Sequence, residues 1–315
     1  MEDYPQTLPE FEDRFASEEA CRDYLHHLRW PEGFVCPRCG NKKAWGAGGI
    51  LYQCAQCGYK ASVTAGTVFQ DTRKPLRLWF RAMWWVTSRK NGASALGLQR
   101  VLGLGSYETA WSWLHKLRRA MVRPGRDRLS GRVEVDETYL GAEAHGTRGR
   151  GAQGKALIVV AAQEDGAGIG RIRLRHVPDA SAQSLLRFVE ESIEPASTVC
   201  TDGWKGYSGL ESKGYGHEVL FANRQMKTDP HLLPRVRRVV ALLKRWLPGT
   251  HQGRVSHEHL AHYLDEFTFR FNRRAWRHRG KLFYRLVQQA VSVEPVPYSH
   301  LVAHCRSLKP AKHKM

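Results

Sequence analysis

The pattern of apolar and polar residues divides the chain into a helical first part, a strand-rich middle and a helical end. One short helix is predicted after Ser17, which can cap it. Its apolar face consists of Cys21, Tyr24, Leu25 and Leu28. Helical spacing also predicts helices from Leu76, over 93–102, 106–119, 181–191 and 233–246, and over 256–271 and 281–291. Alternation predicts strands at 44–45, 51–53, 133–140, 156–162, 171–177 and 197–202. With 315 residues, the chain is expected to be an α/β protein of two or three domains.

Four cysteines form two Cys-x-x-Cys-Gly pairs separated by fourteen residues: Cys36 with Cys39, and Cys54 with Cys57. Each pair can hold two thiolates on one tight turn, for which the following glycine supplies the backbone angles. Two such turns close a tetrahedral four-thiolate site for a structural Zn²⁺ ion. Two disulfides or a redox pair are the alternatives. The acidic and polar residues 1–5 do not open a signal peptide, so we expect a reducing compartment, which favours a zinc ribbon.

A pair of predicted helices follows, joined by a turn that contains Gly103 and Gly105. The second helix ends in a basic run from Lys116 to Arg119. Two helices with a short glycine turn fit a helix-turn-helix that contacts DNA, although many helical hairpins share this pattern. Residues 121–131 are predicted to form a linker.

The middle of the chain has three predicted strands, a helix and a fourth strand. Asp136 lies on the first strand and Asp202 ends the fourth. Alternation places Glu134 and Asp136 on one face of their strand and Glu137 on the other. Taken singly, either aspartate could be a turn former or a surface charge. In this order of elements, which is that of an RNase H-like fold, the two acids are expected to converge on divalent metal. Mg²⁺ or Mn²⁺ held by carboxylates can activate a hydroxyl nucleophile and stabilise the leaving oxygen in phosphoryl transfer.

The charge balance indicates the class of partner. The chain has 49 Lys and Arg against 30 Asp and Glu, a formal net charge of +19. Such a charge attracts polyanions and favours nucleic acid, although a solvated basic surface, a ribosomal protein or a membrane-surface protein are alternatives. No apolar run approaches the roughly 20 residues of a membrane span. We therefore expect no membrane partner.

These segments predict four parts of the chain. Residues 1–70 form an N-terminal helix and zinc ribbon, and residues 71–130 a helical, helix-turn-helix-like DNA-binding region with its linker. Residues 131–295 form an RNase H-like α/β catalytic domain with C-terminal helices, and residues 296–315 a tail.

Seven collinear segments resemble bacterial insertion-sequence transposases that have an N-terminal zinc ribbon and a DDE-type catalytic domain. They are 29–40, 66–76, 133–139, 201–207, 242–246, 249–253 and 263–273. Their agreement in order over most of the chain is more specific than any single motif. The resemblance implies transposition, in which DNA strands are cleaved at element ends and joined to target DNA, with Asp136 and Asp202 as catalytic metal ligands.

The same resemblance implies a third active-site position on a helix, followed two turns later by a lysine. Lys244 matches the lysine, and Arg237 stands at the third position, 35 residues after Asp202, where relatives have Glu, Asn or His. Arginine keeps its proton and offers no lone pair to a metal. Three alternatives remain open: two aspartates suffice, Asp229 or Glu134 supplies the missing ligand, or this copy has lost activity.

The leading hypothesis is a DDE-type transposase that binds double-stranded DNA at element ends and target, as a homo-oligomer in the DNA complex. The alternative is a transposase-derived DNA-binding protein that is catalytically impaired by Arg237. A zinc-ribbon RNA-modifying or ribosomal factor would account for the charge but not for Asp136 and Asp202. The expected location is the cytoplasm, at the nucleoid when the protein is bound to DNA.

Overall fold

The structure, a computed structural model, describes residues 2–123, 125–141, 155–220, 232–251, 255 and 257–306. The chain divides into two compact units. We call Gly125–Arg274 the central unit, and the flanking segments Met1–Pro124 and Ala275–Met315 together the terminal unit. This division differs from the predicted boundaries at 131 and 295, because the chain after Arg274 groups with the N-terminal part.

The described residues form helices and strands with the following bounds. The helices are α1 (Leu8–Arg14), α2 (Glu18–Arg29), α3 (Leu76–Ser88), α4 (Ala95–Leu102), α5 (Tyr107–Ala120), α6 (Ala182–Ser192), α7 (Pro234–His251), α8 (Leu260–Phe271), α9 (Arg279–Ala290) and α10 (Tyr298–Arg306). The strands are β1 (Ala44–Gly46), β2 (Leu51–Cys54), β3 (Lys60–Ser62), β4 (Arg132–Leu140), β5 (Ala156–Asp165), β6 (Gly168–Val177), β7 (Thr198–Thr201) and β8 (Gly216–Val219). None of the helices in this described part is long and apolar enough to cross a membrane.

An aromatic core explains why the C-terminal helices belong to the terminal unit. Phe283 of α9 is fully buried, and its ring centroid lies 5.3 Å from that of Phe11 in α1. It also lies 5.6 Å from the centroids of Phe15 and Phe80. Helices from both ends of the sequence therefore share one hydrophobic core.

The starts of α2 and α3 in the terminal unit are both capped by side chains. Ser17 accepts a hydrogen bond from the Ala20 N–H and begins α2, as predicted. Helix α3 begins after Pro75, which offers no side-chain acceptor. Glu18 of α2 supplies the acceptor instead, because its carboxylate receives the N–H groups of Leu76 at 2.6 Å and Arg77 at 3.2 Å. Carboxylates at this position are stabilised by the positive end of the helix dipole.

The three strands of the ribbon form a small antiparallel sheet in the order β1-β2-β3. The first two strands were predicted, whereas β3 was not, because its three residues carry no β-branched or aromatic side chain. The core of the ribbon contains only a few buried side chains. So small a core cannot hold the module together without a further cross-link.

The predicted helix pair is present as α4 and α5. Ser94 caps α4, which ends at Gly103 in the left-handed conformation, with φ of +62°. Ser106 then caps α5 by accepting a hydrogen bond from the Thr109 N–H. Glycine is favoured at the turn because a side chain would strain a positive φ.

The central unit contains a five-stranded mixed sheet in the order β6-β5-β4-β7-β8. Strands β4, β5 and β6 are antiparallel neighbours, while β4, β7 and β8 run parallel. Helix α6 covers one face, and α7 and α8 cover the other. This arrangement confirms the predicted RNase H-like fold, with β4 and β7 adjacent at its centre. The short strand β8 was not predicted.

Part of the predicted tail is helical. Helix α10 lies within residues 296–315. Its residue Leu301 is buried, with only 4% of its surface exposed. The last residues, 307–315, lie outside the described part of the chain.

Candidate active site

Two aspartates end up on neighbouring parallel strands at the centre of the sheet. Asp136 lies in β4, and Asp202 directly follows β7. The register pairs Val133 with Val199 and Glu134 with Cys200, and continuing it by two residues places Asp202 beside Asp136. Adjacent strands lie about 4.8 Å apart. The structure therefore brings together two side chains that are 66 residues apart in the sequence.

The carboxyl group of Asp136 is strongly perturbed. Its pKa is raised to about 7, chiefly by burial and further by the carboxylates of Glu137 and Asp202, while the Glu137 N–H and Arg237 oppose the rise. That N–H donates to Asp136 Oδ1 at 2.8 Å. Alternation places Asp136 on the face covered by α7 and α8, as predicted for this strand. The surroundings of Asp136 therefore disfavour its ionised form.

The loop after β7 orients the second aspartate and its surroundings. Asp202 Oδ1 accepts a hydrogen bond from the Trp204 N–H at 3.0 Å, and the Trp204 indole donates to the Ala180 carbonyl. Tyr207, fully buried, donates its hydroxyl hydrogen to Glu137 Oε2 at 3.0 Å. No pattern in the sequence assigned a role to Glu137 or Tyr207. The aromatic residues Trp204 and Tyr207, which follow Asp202 within five positions, were the feature of the sequence that could have indicated these roles.

Glu134 contacts the first turn of α7 through both of its carboxylate oxygens. Its Oε2 accepts the N–H groups of Arg235 at 2.8 Å and Val236 at 3.0 Å. Its Oε1 accepts from the Arg235 guanidinium at 3.0 Å. Both oxygens of Glu134 are thus engaged by α7, and the alternative that Glu134 supplies the third ligand stays a prediction. The other candidate, Asp229, lies outside the described residues.

Helix α7 carries Arg237 and Lys244. Arg237 is partly buried and close enough to Asp136 to oppose the rise in its pKa. Lys244 is exposed and lies seven residues later, so that it shares a side of the helix with Arg237. Position 237 is therefore near Asp136, whereas Lys244 is accessible to a large substrate.

The donor set fits a divalent cation. Carboxylate oxygens are the ligands that Mg²⁺ and Mn²⁺ prefer. A cation between Asp136 and Asp202 would relieve the repulsion that raises the pKa of Asp136. Asp136 and Asp202 could supply two such ligands, whereas arginine at position 237 has no lone pair with which to supply a third.

The four ribbon cysteines converge on one point. One Sγ atom from each of Cys36, Cys39, Cys54 and Cys57 lies within 4.8 Å of all the others. The closest pairs are 3.7 Å and 3.6 Å apart, far beyond a disulfide bond. Both turns close in the same way, because the N–H of the glycine after each pair donates to the carbonyl of its first cysteine. Those glycines have φ of +73° and +67°, as the motif predicts.

Helix α5 offers a different surface from the one expected. Its basic end is not exposed: Arg118 is only 2% exposed, and burial lowers the pKa of Lys116 and Arg119. By contrast, Tyr107 in the first turn is 49% exposed. The N-terminal residues of a recognition helix are the ones that reach base edges in helix-turn-helix proteins. The first turn of α5, rather than its basic end, is therefore the part that DNA can reach.

Comparisons with known proteins agree with this site. Residues 128–272 match the ISXO2-like transposase domain, and residues 16–60 match the transposase zinc-ribbon domain. An uncharacterized protein in transposable element ISH50 of Halobacterium salinarum is 30% identical over 292 residues, which cover 85% of this chain and 94% of that protein.

Two solved structures are more distant. The Mos1 strand transfer complex is 14% identical with a TM-score of 0.30, over 71% of this chain and 78% of that chain. The simian T-cell lymphotropic virus intasome, in complex with the PP2A regulatory subunit B56 gamma, is 15% identical with a TM-score of 0.29. That match covers 54% of this chain and 63% of the other. These scores are too low to support an argument.

The ribbon cysteines and the acidic pair on β4 and β7 both fall within the matched domains. The relative from the transposable element aligns over nearly its whole length. The chain thus belongs to the family of transposases with a zinc ribbon and an ISXO2-like, DDE-type catalytic domain.

Proposed function

We propose that Asp136 and Asp202 hold the catalytic metal of this transposase, and that the protein cleaves DNA at element ends and joins it to target DNA. The observation that carries the proposal is the adjacency of the two aspartates across β4 and β7, together with the raised pKa of Asp136. Buried acids whose pKa is shifted toward neutrality by neighbouring acids are typical of functional sites.

Each residue of the site has a role in this proposal. A bound Mg²⁺ or Mn²⁺ would supply Lewis-acid activation of the attacking hydroxyl and charge stabilisation for the leaving oxygen. The N–H groups of Glu137 and Trp204 fix the carboxylates of Asp136 and Asp202. Lys244, exposed on α7, is suited to contact a DNA phosphate as a point charge.

The terminal unit supplies the proposed binding sites for zinc and for element ends. Cys36, Cys39, Cys54 and Cys57 hold a structural Zn²⁺ ion, and the ribbon and the first turn of α5 bind element ends. The protein acts as a homo-oligomer in the DNA complex, because two ends must be joined to one target. Its place of action is the cytoplasm, at the nucleoid.

A second candidate function is favoured by Arg237, which lies close enough to Asp136 to affect its pKa. In that case, the protein binds element ends but transfers strands poorly, because a guanidinium occupies the position of a metal ligand.

The test is strand cleavage and transfer on the element's own ends with Mg²⁺ or Mn²⁺. We expect Asp136→Asn and Asp202→Asn to abolish both reactions and to leave end binding intact, since each removes a ligand charge without changing size. Glu211→Gln, which alters an exposed carboxylate of the same unit, is the matched control. Full activity of either aspartate variant would refute the assignment.

A further inference from the structure

The start of helix α7 lacks a cap of its own. The helix begins with Pro234, which has no N–H, after Leu233, whose apolar side chain cannot accept a hydrogen bond. The Arg237 N–H donates to the Leu233 carbonyl at 3.0 Å. The N–H groups of Arg235 and Val236 therefore need acceptors from elsewhere.

Strand β4 supplies that acceptor. Glu134 is only 3% exposed, and its Oε2 receives these two N–H groups at 2.8 Å and 3.0 Å. A buried carboxylate at a helix N-terminus gains both charge-assisted hydrogen bonds and the favourable helix dipole. The first turn of α7 is thereby fixed directly to the strand that carries Asp136.

Arg235 extends this attachment to the hairpin between β5 and β6. Its guanidinium pairs with Glu134 Oε1 at 3.0 Å and with Glu164 Oε1 at 3.1 Å. It also donates to the carbonyls of Gly166 and Gly168, each at 2.9 Å. Its four acceptor residues lie on three strands and one turn, and together they fix the orientation of the Arg235 guanidinium.

The attachment lies next to the catalytic residues in both elements. Asp136 follows Glu134 by two residues on the same face of β4. Arg237 follows Arg235 by two residues on α7, and its effect on the pKa of Asp136 shows that the two are near each other. The contact between Glu134 and α7 therefore fixes the two residues directly before Arg237 to the strand that carries Asp136.

We propose that Glu134 is a positioning residue for strand transfer, acting through Arg235 and the first turn of α7. It binds neither metal nor DNA, but it holds position 237 and Lys244 in register with the acidic pair. This inference rests on the proposed function of Asp136 and Asp202. No sequence motif indicates it, because the partners are about a hundred residues apart.

The test uses Glu134→Gln in the full-length protein, which keeps the size of the side chain and one acceptor oxygen but removes the charge. Glu191→Gln is the matched control, because Glu191 also pairs with two arginines, Arg175 and Arg187, on the opposite side of the sheet. Three quantities are measured: strand transfer at saturating metal and DNA, Mn²⁺ affinity by electron paramagnetic resonance, and hydrogen exchange of residues 235–240.

We expect strand transfer by Glu134→Gln to fall by about tenfold, as for a small misplacement of catalytic groups. Exchange over residues 235–240 should become faster, while Mn²⁺ affinity stays at the level of the control, because both aspartates are held by strands. Loss of Mn²⁺ affinity would mean that Glu134 supports the aspartates themselves, which would overturn the proposal. Unchanged strand transfer with faster exchange would overturn it too.

A second variant covers the case in which Glu134→Gln does not fold. Arg235→Gln keeps the carboxylate at the helix start and removes only the contacts to Glu134 and the hairpin. We expect slower strand transfer, with a smaller loss than in Glu134→Gln, together with faster hydrogen exchange over residues 235–240 and unchanged Mn²⁺ affinity. Hydrogen exchange over residues 235–240 as slow as in the control would contradict the positioning role of Glu134. If even the unaltered protein transfers no strands, the proposed function fails, whereas the exchange and Mn²⁺ measurements still decide whether Glu134 fixes α7.

Discussion

In the proposed metal site, Asp136 is the residue at which a metal ion and a proton would compete. Its pKa of about 7, compared with the ordinary value of 3.8, results from burial and from the carboxylates of Glu137 and Asp202. A divalent cation binds the ionised form. Below pH 7 it must therefore displace a proton from the metal-free protein, whereas above pH 7 the carboxylate is already ionised.

We predict that Mg²⁺ affinity rises by about tenfold per pH unit as pH increases toward 7 and levels off above it, as proton linkage requires for one group. Titration calorimetry in two buffers of different ionisation enthalpy should show about one proton released per ion at pH 6, and fewer at pH 8. Affinity that is independent of pH over this range would show that Asp136 is not the titrating ligand.

Arg237 lies close enough to Asp136 for its permanent positive charge to oppose the rise in the pKa of that carboxyl group. We predict that Arg237→His raises metal-dependent strand transfer by about tenfold or more, because imidazole offers a lone pair to a metal and no longer competes with it as a permanent cation. Binding to element ends should remain unchanged. Arg238→His, an exposed neighbour on the same helix, is the control.

If the unaltered protein already transfers strands as fast as the Arg237→His variant, Arg237 is not a lesion. The third ligand must then come from another part of the chain.

At the scale of elements, the zinc ribbon shows how few side chains can define a module. Two four-residue turns, each closed by a glycine at positive φ, place four thiols within 4.8 Å of each other. The surrounding core is small. Folding of the ribbon should therefore be coupled to binding of the metal.

We predict that the unaltered chain contains about one zinc ion and that Cys54→Ser loses it. The ribbon of the variant should become sensitive to proteolysis, while the central unit keeps its thermal transition, because the two units have separate cores. Gln56→Ser, in the same turn but without a thiolate, should keep the metal. Equal zinc contents in the Cys54→Ser and unaltered proteins would disprove the four-thiolate site.

Local periodicity predicted most of these elements, and its failures have physical reasons. Strand β4 was predicted because residues 133–140 begin with clear alternation, and Ser17 and Pro234 indicated helix starts correctly. The short α1, β3, β8 and α10 carry too few residues for a period to show. The role of Glu134 could not be predicted, since its acceptor atoms serve N–H groups about a hundred residues away.

At the scale of the whole molecule, periodicity does not assign a helix to one unit or the other. Helix α9 has an ordinary amphipathic pattern, which does not reveal which core it joins. Its partners, Phe11, Phe15 and Phe80, lie in the first 80 residues. Only the tertiary fold shows that the central unit is inserted into a unit made from both ends of the chain.

This insertion has a consequence for biosynthesis. A ribosome completes the central unit before it makes α9. Until Phe283 is synthesised, the N-terminal helices therefore lack one of the aromatic side chains of their hydrophobic core. A nonsense codon anywhere in the central unit would release a fragment whose N-terminal helices lack that ring. Removing a buried phenylalanine alone costs about 3–5 kcal/mol, a large share of the stability of a domain. Such fragments should be degraded before they can accumulate on element ends and block the intact protein.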